Sequence, residues 1–93
     1  MEANDSFIRS DEVVAREVGG ETVLLDLQAG TYFGLNETGG LIWQYLGDEP
    51  RKFSDICSHV LAEYDAPAEA VESDVAALMK DLIANGLAVQ KDG

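Results

Sequence analysis

Residues 31–47 read TYFGLNETGGLIWQYLG, and within two residues they pass from strand chemistry to helix chemistry. The run TYFGL is rich in β-forming side chains, and its aromatic neighbours Tyr32 and Phe33 must point to opposite faces of any strand. Asn36 has the side-chain oxygen that best accepts a free N–H in a first helical turn. Glu37 then stands where the helix dipole favours negative charge. Thr38, Leu41, Ile42, Tyr45 and Leu46 fall at i, i+3, i+4, i+7 and i+8, which is one helical face. Gly39 and Gly40 each cost a helix interior roughly 0.5–1 kcal/mol against Ala, so a close approach of that first turn to the strands is expected in return. Gly47 is a natural stop.

Working back from this stretch, residues 13–18 form a β-rich run that ends at Gly19-Gly20, a pair suited to a primed hairpin turn. Residues 22–28, TVLLDLQ, follow, with Val23, Leu25 and Leu27 alternating onto one face. A second turn at QAG leads into residues 31–35. The first third therefore predicts a three-stranded antiparallel meander. Residues 1–10 show no periodicity and are expected to form a flexible arm ahead of a domain over residues 11–90.

Working forward, a second helix is predicted over residues 54–64 with Ile56, Val60, Leu61 and Tyr64 inward. Pro67 suits the first turn of a third, ending near Asn85, with Gly86 in the left-handed position and Leu87 packing back. Residues 87–90 can add a short terminal strand. On the third helix Val71, Val75, Leu78 and Leu82 make a narrow stripe, which Met79 and Ile83 widen on one side while Asp74 borders the other. That extra flank must meet the sheet, a partner, or both. The fold class is α+β: three antiparallel strands followed by three helices, in a winged-helix-like order.

Composition excludes several functions. The 93 residues suit one domain, and 18 acidic against 6 basic residues give a formal charge of −12. Nucleic-acid binding rests on Lys and Arg displacing counterions, yet residues 67–85, the recognition helix of a winged-helix reading, contain only Lys80. No apolar run approaches the roughly 20 residues that span a membrane, and MEANDSFIRS lacks the regions of a secretory signal. The cytoplasm is the expected compartment, with no membrane and no nucleic-acid partner. Cys57 and His59 have no further Cys or His to complete a zinc set, and their spacing does not make a nucleophile pair. No phosphate loop is present. Neither catalytic residues, metal nor cofactor are therefore expected. An acyl-carrier reading, suggested by size and acidity, needs a serine opening a helix, whereas Asp5-Ser6-Phe7 lies before a β-rich run. The carboxylates Glu63, Asp65, Glu69, Glu72 and Asp74 read as a solvated face, and Trp43 as core.

At YFGLNETGGLIWQYLG, and further along at SDVAALMKDLIANGL, the sequence resembles the PqqD family, over roughly residues 13–89. The motif is an aromatic followed by Leu35-Asn36, Thr38-Gly39 and Ile42-Trp43, with matching spacing to Asp74 and Gly86-Leu87. Family members often place a Thr cap where this chain has Lys52. The resemblance implies a non-catalytic recognition element for the leader of a ribosomally made precursor peptide. The leader would add as a strand beside Thr31, Tyr32, Phe33 and Gly34. It would lie against a groove wall of Asp74, Val75, Leu78, Met79, Leu82 and Ile83. The wording GTYFGLN is similar to stand-alone recognition proteins of lasso-peptide clusters, which implies a leader protease and cyclase as partners. Delivery of a precursor to a radical SAM enzyme is the alternative the family offers.

Overall fold

A computed structural model describes residues 1–47 and 49–91. In chain order the elements are β1 (Ser6–Arg9), β2 (Val13–Val18), β3 (Glu21–Asp26), β4 (Thr31–Leu35), α1 (Glu37–Tyr45), β5 (Arg51–Lys52), α2 (Phe53–Glu63), α3 (Ala68–Ala84) and β6 (Ala88–Lys91). They make two antiparallel three-stranded sheets, ordered β2-β3-β4 and β5-β1-β6, with three helices.

The expected meander is β2-β3-β4. Gly19 and Gly20 turn its first hairpin at φ +59° and +86°, the primed geometry that matches strand twist. Leu24 opposes Phe33 and Thr22 opposes Leu35 on the face turned to the core. Val23 and Leu25, expected to share a face with Leu27, lie half-buried on the outer face, and Leu27 falls beyond the strand at 65% exposure.

The strand-to-helix passage closes as its residues dictate. Asn36 accepts a 2.8 Å bond from the Gly39 amide. Gly40 is where the helix meets the sheet, because a Cβ there would stand 2.6 Å from Thr22 Oγ1. Ile42, Trp43 and Leu46 then fill the core. The third helix ends as expected, with Gly86 at φ +72° and the Leu87 amide bonded to the Leu82 carbonyl at 2.8 Å.

The flexible arm expected over residues 1–10 is where the structure departs most. Ser6–Arg9 is the central strand of the second sheet, pairing with both β5 and β6, and Phe7 is fully buried. Arg9 donates to the Trp43 carbonyl and lies 4.9 Å from the indole centroid, tying this strand to α1. The second sheet packs on α3 through β6. It covers the helix flank that the sequence left open.

Candidate functional site

Each sheet has two edges, and within the first sheet these are β2 and β4. Along an antiparallel edge strand, alternate residues turn their N–H and C=O away from the sheet and leave them unpaired. On β4, whose only strand partner among the described residues is β3, this edge runs through Thr31, Tyr32, Phe33 and Gly34. Phe33 packs against the core, whereas Tyr32 is 78% exposed on the opposite face. The alternation expected of this pair is therefore present, with one ring anchored and the other free.

In the first turn of α1, which follows β4 directly in the chain, Thr38 borders an apolar cavity of about 190 Å³. Thr38 of α1, Val60 and Tyr64 at the end of α2, and Val71, Asp74 and Val75 of α3 line it. Thr38 stands there because α1 begins directly after β4, with Asn36 as the cap. One turn beyond Asp74, on the same flank of α3, is Leu78, which is half-buried.

The six expected wall residues therefore divide. Asp74 is exposed at the rim, Leu78 is half-buried, and Val75, although fully covered, forms part of the cavity floor. Met79 and Leu82 have no exposed surface and belong to the core, because the second sheet and α2 close over that face. Ile83 lies on the opposite flank, in a recess with Met1, Asp5 and Gln90. The widened stripe thus meets β6 and α2, with the first residues of the chain beside Ile83, so Met79, Leu82 and Ile83 do not wall this cavity.

Thr38, Val60, Tyr64, Ala66 and Val71 line the cavity but are not among the six expected wall residues. Tyr64 carries the signal that would have found it: it closes the inward stripe of α2 at the point where the acidic bend begins.

The other reactive side chains have structural places. Cys57 is buried, and burial, followed by the nearby negative charge of Glu72, raises its thiol above the ordinary value of 9.0. His59 stacks on Tyr45 with ring centroids 4.3 Å apart. Among the described residues no group of three or more His, Cys, Asp or Glu is arranged to hold a metal ion. No helix among them is long and apolar enough to cross a membrane.

Residues 21–88 match the family model described as coenzyme PQQ synthesis protein D (PqqD). Two solved structures are similar throughout. TbiB1 in complex with the TbiA(beta) leader peptide is 35% identical at a TM-score of 0.79, the match covering 92% of this chain and 99% of that one. A lasso peptide synthetase B1 complexed with the leader peptide is 34% identical at a TM-score of 0.76, over 89% and 96% of the two chains. No curated protein matches by sequence.

Proposed function

The chain belongs to the PqqD family, and from that premise we propose that it is a non-catalytic module that binds the leader of a ribosomally synthesised precursor peptide. The leader adds as a strand to the free edge of β4 and is presented to the enzymes that process it. A leader protease and a cyclase of a lasso-peptide pathway are the favoured partners, working in the cytoplasm. Both similar structures hold a leader peptide and share about a third of this chain's residues, which favours this pathway over delivery to a radical SAM enzyme.

The observation that carries the reading is the open β4 edge together with an apolar cavity bordered by Thr38 at the start of α1, the helix that follows β4. An extended peptide satisfies the edge's unpaired amides and carbonyls, and its alternate side chains enter the pockets beside the strand. Edge strand β2 is exposed along nearly its whole length and carries Arg16 and Glu17, and the cavity beside it is lined by carboxylates rather than apolar side chains alone. In this reading Thr31, Tyr32, Phe33 and Gly34 supply the backbone, while Thr38, Tyr64, Val71, Asp74 and Leu78 shape the side-chain pockets.

The test is a titration of the isotopically labelled protein with the leader of the precursor encoded beside it. Binding should saturate, perturb the amides of residues 31–34, and slow their hydrogen exchange, as added ladder bonds require. Perturbation at β2 with none at β4, or no binding, would overturn the reading.

A further inference from the structure

A second concavity lies on the helix-facing side of the first sheet, between the β2–β3 turn, α1 and the end of α2. Its volume is about 270 Å³. Glu17 of β2, Glu37 of α1 and Glu63 of α2 bring three carboxylates to it from three separate elements. None of the three has an ion-pair partner among the described residues. Thr22 forms its base. That residue is 8% exposed, and its hydroxyl makes no hydrogen bond to any described residue. The hydroxyl also faces Gly40, another lining residue, because a Cβ added there would come within 2.6 Å of Thr22 Oγ1.

That hydroxyl belongs to a residue more than nine-tenths buried, has no partner among the described residues and keeps access to the cavity, so it is open to a donor from a guest. Together with three unpaired carboxylates it describes a socket short of donors and of positive charge. Gln44 adds a further amide oxygen, and the half-buried Leu41 and Tyr64 give the socket an apolar side. An arginine fits this combination. Its stem packs along apolar surface while its planar fork offers five N–H donors to several acceptors at once.

We propose that this acidic cavity is a second recognition site, which takes an arginine side chain of the enzyme that receives the leader. The inference rests on the leader-binding reading for the existence of that enzyme, but apart from the shared Tyr64 it uses different residues. Position separates the two occupants. Glu17, Thr22 and Leu35 lie in one cross-strand row, and a guest strand on β4 would be three strand spacings, ~14 Å, from β2. The socket therefore stays open when the leader is bound, with Tyr64 lining both cavities. The chain's charge of −12 complements a basic docking face and would steer its approach.

The test uses the full chain, labelled for amide spectra, with N-acetyl-arginine methylamide as probe and the citrulline counterpart as its neutral isostere. The arginine probe should shift the amides of Gly20, Thr22 and Gly40 saturably, less so in high salt, and the citrulline probe should not. Glu17→Gln with Glu63→Gln should abolish the shifts. Thr22→Val should weaken binding about tenfold, as expected for one lost hydrogen bond to a charged donor. With the leader-processing enzyme added, the double Gln variant should bind it at least about tenfold more weakly, while its affinity for the leader and its shifts at residues 31–34 stay unchanged. Equal shifts from both probes, none at these amides, or unchanged affinity for the enzyme would overturn the proposal. So would a leader that by itself displaces the arginine probe, since the socket would then belong to the guest. Failure of leader binding itself would show separately, at residues 31–34.

Discussion

Leu78 and Met79 are neighbours on α3 with opposite surroundings, and replacing each by Asp separates groove from core. Met79 has no exposed surface. Met79→Asp removes a packed side chain, at about 2–5 kcal/mol, and forces a carboxylate either to ionise without a partner or to stay protonated, at several kcal/mol more. A domain of this length is stable by roughly 5–14 kcal/mol, at about 0.05–0.15 kcal/mol per residue, so this variant should unfold or lie at the margin. Leu78 is half-buried one turn beyond Asp74 on the same flank of α3, and its Asp can turn the carboxylate to water at about 1–2 kcal/mol. The fold should survive. Leader affinity should fall roughly 10–100-fold, because the guest's apolar side chains would meet a charge where they met a leucine. Chemical denaturation followed by circular dichroism gives the stabilities, and leader titration by fluorescence anisotropy gives the affinities. A folded Met79→Asp protein that had lost leader binding, beside a Leu78→Asp protein that bound normally, would refute the assignment of these two faces.

Four further outcomes are expected. Gly40→Ala should destabilise the protein by about 1–2 kcal/mol despite the better helix former, because the new methyl meets Thr22 Oγ1; adding Thr22→Ala should recover most of that loss in a double-mutant cycle. Asn36→Ala should cost about 1 kcal/mol in denaturant midpoint, since the Gly39 amide loses its acceptor. Phe7→Ala should cost about 3–5 kcal/mol, a loss that a loose arm would not produce. Burial raises the Cys57 thiol above 9.0, so the unfolded chain releases this proton more readily than the folded one. The thiol's contribution is thus fully present below pH 9.0 and lost as pH climbs towards the raised folded value. Stability–pH curves of wild type and Cys57→Ser should diverge only on that alkaline side.

The parts of the fold legible in the sequence are those set by neighbours in the chain. Asn36, the Gly39-Gly40 pair, the Gly19-Gly20 turn and the Gly86-Leu87 stop act across a few residues, and each does in the structure what its chemistry requires. β1 was not legible because Phe7-Ile8 is too short a run to show a period, and its partners lie some 45 and 80 residues away, in β5 and β6. The same distance explains the groove wall. On a helical wheel Met79 sits about 40° to one side of Val75 and Leu78 about 60° to the other. Nothing local says which flank is covered. The second sheet covers the Met79 side, so a strand invisible in the sequence decided which expected contacts were available. In β3 the adjacent Leu24 and Leu25 satisfy either phase of alternation, and only packing against α1 selects Leu24 for the core.

The two edges of the first sheet also differ in a way that composition alone makes physical. β2 carries Arg16 and Glu17 in its second half, and charge on an edge strand discourages pairing with another chain. β4, TYFGL, has no charge and no proline, so it lacks the devices by which edge strands are usually blunted. An uncharged edge of this kind is an aggregation liability wherever it serves no partner. Here the glycine at 34 leaves one of its positions without a side chain, and Thr38, in the helix that follows, borders the apolar cavity. In the leader-binding reading proposed above, a strand added to this unprotected edge would have an apolar pocket for its side chains. In that reading, the pairing of open backbone with side-chain selection would convert a hazard into specificity.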